Sequence, residues 1–239
     1  MSQHTVRAFD DDLNRLTGLV SDMGSRAALA VEQAMAALNN RDLVSASAIV
    51  AADKRIDELE TEIEKLVVTT IALRAPMADD LRTMIAALKI AAVLERVGDY
   101  AKSIAKRVPL LSADRAIDAM PLLTSMAQIV CEMLRDVLAA YAGRDAAKAQ
   151  EVSVRDKQVD GFYNSIFRAL VTYMMENPRS ITESAHLLFI AKNLERAGDH
   201  ATNVAEMIYF AATGQHMDER EKGDDLAIAP IASPNVSGA

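Results

Sequence analysis

One stretch of helix-patterned sequence occurs twice: LKIAAVLERVGDYAKSIA at residues 88–105 and LFIAKNLERAGDHATNVA at residues 188–205. Leu-Glu-Arg-x-Gly-Asp-x-Ala is kept without exception in both copies. In the first copy Ala87, Ile90, Ala91, Leu94, Gly98, Ala101 and Ala105 recur at three- and four-residue steps, the stripe of an amphipathic helix. Working outward, DKRID (53–57) is answered by DKQVD (156–160), and Arg41-Asp42 by Arg144-Asp145. The spacing stays close to one hundred residues throughout. A duplication of that length predicts two similar three-helix domains rather than a solenoid of short repeats.

Helix breakers partition each copy. Asn39-Asn40 closes a first helix that begins near Phe9, and Ala75-Pro76 closes a second, since proline disfavours helix at the residue before it. Ile49, Ala52, Ile56, Leu59, Ile63, Leu66 and Thr70 give that second helix one unbroken stripe over roughly thirty residues. Pro109 ends the third, a linker covers about 112–118, the fourth runs to Gly143, the fifth stops at Asn177-Pro178, and the sixth spans from near Ser180 to Gly214. The expected fold is all-α: two tandem, pseudo-symmetric three-helix bundles of six long antiparallel helices. Residues 1–111 form the first repeat and 112–214 the second. Residues 215–239, charged and then rich in Ala, Pro, Ser and Gly, read as a disordered tail.

Composition agrees. Half of the 239 residues are apolar, aromatics are only 4%, and there are nine Gly and six Pro, which suits long helices and suits a β-sandwich poorly. A net charge of -8 argues against the basic footprint of nucleic-acid binding. The single cysteine, Cys131, can form neither an internal disulfide nor a thiolate metal cage. No secretory signal opens the chain, and no run approaches the ~18 apolar residues of a spanning helix. The expectation is a soluble, cytoplasmic protein whose attachment to a membrane would come only through a partner.

The chemistry is concentrated in (Asp/Glu)-x-x-x-Asp. It occurs twice per half, as Asp53 with Asp57, Glu95 with Asp99, Asp156 with Asp160, and Glu195 with Asp199. Residues four apart share one helix face, and two carboxylates placed so repel each other, so stability alone gives no reason for the pattern. The Glu95/Asp99 and Asp53/Asp57 pairs lie on the flanks of their helices' apolar stripes, where packed helices meet in a groove. Pro76 is nearly equidistant from Asp53/Asp57 and Glu95/Asp99, and Asn177-Pro178 is the midpoint in the second half. At ~1.5 Å per residue both pairs of a hairpin sit roughly 30 Å from its turn, level with each other. Four clustered anions need protons or cations, and a hard, oxygen-seeking ion such as Mg²⁺, Mn²⁺, Fe or Ca²⁺ is the simplest answer. Gly98 and Gly198 read as points of close helix approach beside the acids; Arg96 and Arg196 either pair with the acids or are solvated. Glu183-x-x-His186 matches one element of di-iron bundles, which leaves a ferritin-like metal oxidase or metal store as an alternative. It lacks a second copy, however. Met174-Met175 reads as core, and nothing nominates a catalytic nucleophile.

The run LRAPMADDLRTMIAALKIAAVLERVGDYAKSIAKR (73–107), with its echo ending LERAGDHATNVAE (194–206), closely resembles the PhoU family from about residue 8 to 214. Arg74-x-Pro76 and Asp80-Leu81-Arg82 add to the likeness; the second half departs, with Asn177-Pro178-Arg179-Ser180-Ile181-Thr182 in their place. The resemblance implies two three-helix bundles, often in a homodimer. It also implies divalent or trivalent metal ions (Fe, Mn, Mg or Zn) on the eight named carboxylates. In function it implies a non-enzymatic cytoplasmic regulator of phosphate uptake and phosphate-starvation signalling. Such a regulator would link the ATPase subunit of the phosphate ABC transporter to the sensor histidine kinase.

Overall fold

A computed structural model describes residues 2–111 and 119–217 of the chain, with side chains from residue 8. The expected linker at 112–118 and the tail from 218 onward lie outside the described residues. The helices are α1 (Ser2–Asn40), α2 (Leu43–Ala52), α3 (Lys54–Arg74), α4 (Asp79–Ala105), α5 (Met120–Gly143), α6 (Ala146–Val154), α7 (Asp156–Glu176) and α8 (Ile181–Thr213). Because α2 runs into α3 and α6 into α7 across single residues, these are six long helices, and no strand occurs among the described residues.

Three expectations need correction. First, α1 begins at Ser2, not near Phe9. Second, the thirty-residue helix is broken at Asp53, whose carbonyl accepts from both Ile56 N (2.8 Å) and Asp57 N (3.3 Å). Arg155 breaks the second copy in the same way. Neither break has a glycine or proline, and the apolar stripe passes through both, so periodicity could not show them. Third, Met175 is exposed rather than core.

The repeated Arg-Asp acquires a reason. Arg41 and Arg144 take left-handed backbone (φ 55° and 51°) at the ends of α1 and α5. The amides of Asp42 and Asp145 donate back to the carbonyls of Ala37 and Ala140, both at 2.9 Å, closing a Schellman turn. The same aspartates then cap the next helix: Asp42 accepts from Val44 N and Ser45 N, and Asp145 accepts from Lys148 N. Asp145→Ala is expected to cost about 1 kcal/mol of stability. Arg144→Gly, relieving the left-handed conformation, is expected to shift the denaturation midpoint the opposite way.

Helices α1, α4, α8 and α5 pack in a closed ring, with α3 flanking α1 and α4, and with α6 and α7 flanking α5 and α8. Leu16, Met23, Ile90, Leu94, Met133 and Leu134 are wholly buried in a core that is continuous across the halves. The pseudo-twofold relation appears where α4 meets α8. The equivalent residues Tyr100 and His200 stack on each other, ring centres 5.4 Å apart, with the hydroxyl 3.0 Å from Nε2. No helix of the described residues is long and apolar enough to cross a membrane. Cys131 is buried, which pushes its thiol up to about 11 and keeps it protonated.

Candidate metal centre

The hairpin α3–α4 runs antiparallel and brings the first two acidic pairs together in reverse order. Asp53 and Gly98 meet at one end: a Cβ placed on Gly98 would lie 2.9 Å from Ile56 Cδ1 and 3.3 Å from Asp53 Oδ1. The missing side chain is therefore what lets α3 approach α4 beside the acids. Gly198 does the same in the second half, where an added Cβ would lie 3.2 Å from Val159 Cγ1.

In the first half Asp53 is buried, Glu95 and Asp99 are half-buried and Asp57 is exposed. Burial raises the Asp57 pKa, and the Asp53 charge adds to this, with Lys102 opposing. Glu95 is raised by burial and then by Asp99, with Arg96 opposing and Glu60 adding to the rise. Asp53 and Asp99 each lie within reach of one ammonium, that of Lys102. Arg96 lies 3.5 Å from Glu95 and 3.7 Å from Asp99 but is 63% exposed, so it screens the cluster rather than neutralising it.

Two members of this cluster were not singled out from the sequence. Glu60, one turn past Asp57, is half-buried and raised by burial, Asp57 and Glu64. It was legible as the acid three residues on from Asp57, on the side facing Glu95. Lys102 bonds Asp53 Oδ2 at 2.5 Å and lies 3.5 Å from Asp99 Oδ1; its bond to Asp53 raises its own pKa. Its signal was the step of three from Asp99.

In the second half Asp156 is buried and Asp160, Glu195 and Asp199 are half-buried. Glu195 accepts from Lys192 Nζ at 2.7 Å through Oε1, while Oε2 is buried without a hydrogen-bond partner. Burial raises its pKa; the Lys192 bond lowers it, and Asp199 and Asp160 raise it further. Asp160 on α7 and Asp199 on α8 are thus both within electrostatic reach of Glu195. Among the described residues no three acidic, imidazole or thiol groups already converge as a bound ion would arrange them. The donor chemistry fits a hard cation, and the orphaned, buried Glu195 oxygen is the atom such an ion would satisfy.

A raised carboxyl pKa means that the folded protein holds protons more tightly than the unfolded chain. Stability contributed by such a group is present at low pH and falls as pH rises through the window between the ordinary and raised values. The metal-free protein should therefore melt higher at about pH 5 than at pH 7 to the extent that Glu195 contributes. Melting curves of Glu195→Gln should show a flatter dependence; an unchanged slope would exclude Glu195 as the source.

The matching family model is that of the PhoU domain, at residues 20–108 and 123–208. The chain is 53% identical over 223 residues to the phosphate-specific transport system accessory protein PhoU homolog of Zymomonas mobilis, covering 93% of this chain and 94% of that one. It is 47% identical over 229 residues to the protein so named in Caulobacter vibrioides, covering 95% and 100%. The crystal structure of PhoU from Pseudomonas aeruginosa superposes with a TM-score of 0.83 at 33% identity, covering 87% of this chain and 100% of that one. That of the phosphate transport system regulatory protein PhoU from Streptococcus pneumoniae gives 0.83 at 28%, covering 88% and 100%. The chain defines a tandem-repeat, all-helical protein with two PhoU domains. It belongs to the PhoU family.

Proposed function

We propose that the chain is a non-enzymatic accessory protein of phosphate uptake. In this reading it acts in the cytoplasm as a negative regulator, joining the transporter's ATPase subunit to the sensor histidine kinase and restraining uptake when phosphate is plentiful. The supporting observation is end-to-end identity of about half with relatives named as accessory proteins of phosphate-specific transport. The ring of long helices and the net charge of -8 suit an adaptor. In this reading the protein also forms a homodimer. Deleting the gene should derepress phosphate-starvation reporters at high phosphate; unchanged reporter output would overturn the regulatory reading.

Metal belongs to the same proposal. Asp53, Asp57, Glu95 and Asp99 would hold a divalent or trivalent ion in the first half, and Asp156, Asp160, Glu195 and Asp199 in the second. The ion would supply charge balance across α3–α4 and α7–α8, making the hairpins stiffer surfaces for a partner. The chain's own contribution is placement: the glycines bring the paired helices close, and the antiparallel turns set the acids level.

A further inference from the structure

Where the first turns of α4 meet the last turns of α5 and α8, the ring leaves a cavity of about 210 Å³. All four ring helices wall it, with Thr17 coming from α1 and Tyr141 from α5. Its apolar wall is Ala86, Ile90 and Ile208, all buried. The repeat does not keep this lining. Met120 answers Thr17, Leu38 answers Tyr141 and Leu111 answers Ala211. Leu38 is buried, and Met120 and Leu111 pack against the core. One copy thus places packed hydrocarbon where the other places hydroxyls and an alanine.

The polar groups of the cavity differ in what they still offer. Thr17 and Thr83 donate their hydroxyl protons within their own helices, to the carbonyls of Leu13 (3.0 Å) and Asp79 (2.9 Å), which leaves their oxygens as acceptors. Tyr141 is buried, which pushes its phenol up to about 12, with Thr17 and Arg144 opposing, so its hydroxyl remains a donor. The Asp79 carboxylate is answered by Arg82. Arg144 also lines the cavity, and no ion pair holds its guanidinium among the described residues. Arg41, its repeat mate, has a partner. Arg144 keeps its place although its backbone is left-handed (φ 51°), where glycine would be unstrained.

We infer that this cavity is a binding site for a small organic carboxylate, with its head group on Arg144 and its short apolar body against Ile90 and Ile208. The volume lies below the ~300–1,000 Å³ of pockets for drug-sized molecules, which excludes a nucleotide. A planar guanidinium matches a carboxylate through two parallel hydrogen bonds. The Asp79 carboxylate on the same wall repels a dianion such as a phosphate ester. A bare inorganic anion would leave the apolar wall uncovered. The bound acid would touch helices of both halves, so its binding favours the folded, assembled ring by mass action.

The test is calorimetric titration of the full chain with isovalerate, with its neutral counterpart isoamyl alcohol, and with inorganic phosphate. Isovalerate is expected to bind with a Kd below about 1 mM, and the alcohol and phosphate at least about tenfold more weakly. Arg144→Gln should weaken isovalerate at least about tenfold. Ala211→Leu, which gives this wall the side chain of its repeat mate, should abolish binding. Circular dichroism checks that both variants fold; Arg144 is exposed, so its variant carries the test if the leucine variant does not fold. No saturable binding of isovalerate to wild type would overturn the inference. So would equal affinity in Arg144→Gln or in folded Ala211→Leu, for the acid would then sit elsewhere. Phosphate binding as tightly as isovalerate would overturn the assignment of a carboxylate with an apolar body.

Discussion

Gly98→Leu is expected to lower stability by about 3 kcal/mol and to move Asp53 and Asp57 away from Glu95 and Asp99. The first added carbon alone would sit 2.9 Å from Ile56 Cδ1, well inside contact distance, and Ile56 is itself 3% exposed in the core. The rest of a leucine has nowhere to go without prising α3 from α4. Denaturant titration reads the stability loss, and Mn²⁺ binding reads the separation of the acids. Gly98→Ala should fall between, because Ile56 can give a few tenths of an ångström. Loss of stability with ion binding intact would show that the acids do not depend on this close approach.

Leu94→Ala is expected to cost roughly 3–4 kcal/mol, the range for a buried leucine whose site cannot collapse. Leu94 has no solvent exposure, and it precedes Glu95 on a helix packed against α1, α3 and α8. Its effect on the site should be the reverse of the glycine's. The cavity opens on the core side of α4, while the flank carrying Glu95 and Asp99 keeps its level with α3. Ion affinity per folded molecule should stay within a few-fold of wild type. A stability loss under about 1 kcal/mol would contradict the full burial of Leu94 in the core.

Most of the architecture could be read from a single motif because it was printed twice. Leu-Glu-Arg-x-Gly-Asp set the repeat length, Pro76 and Asn177-Pro178 set the hairpins, and the close approach of Asp53 to Gly98 lies where counting outward from Pro76 puts the first hairpin's acids. The breaks at Asp53 and Arg155 were invisible, since a one-residue tightening of the hydrogen-bond ladder leaves the side-chain stripe in phase. The ring α1–α4–α8–α5 was equally hidden: periodicity says which face is apolar, not which partner covers it. Two details of the site escaped because the search was for carboxylate pairs at a step of four. Lys102 and Glu60 lie at steps of three, and Lys102 has Thr202 where a strict repeat would have lysine. Met175 misled because an apolar residue near a helix end is as readily surface as core.

The most direct measurement is the metal-to-protein ratio, by elemental analysis, after equilibrating the full chain with Mn²⁺ and removing free ion. Wild type should retain Mn²⁺, and Glu195→Ala/Asp199→Ala should lose the share held in the second half. Glu95→Ala/Asp99→Ala should lose the share held in the first half. The same ratio in all three proteins would contradict the account, for the level carboxylates would then be holding nothing.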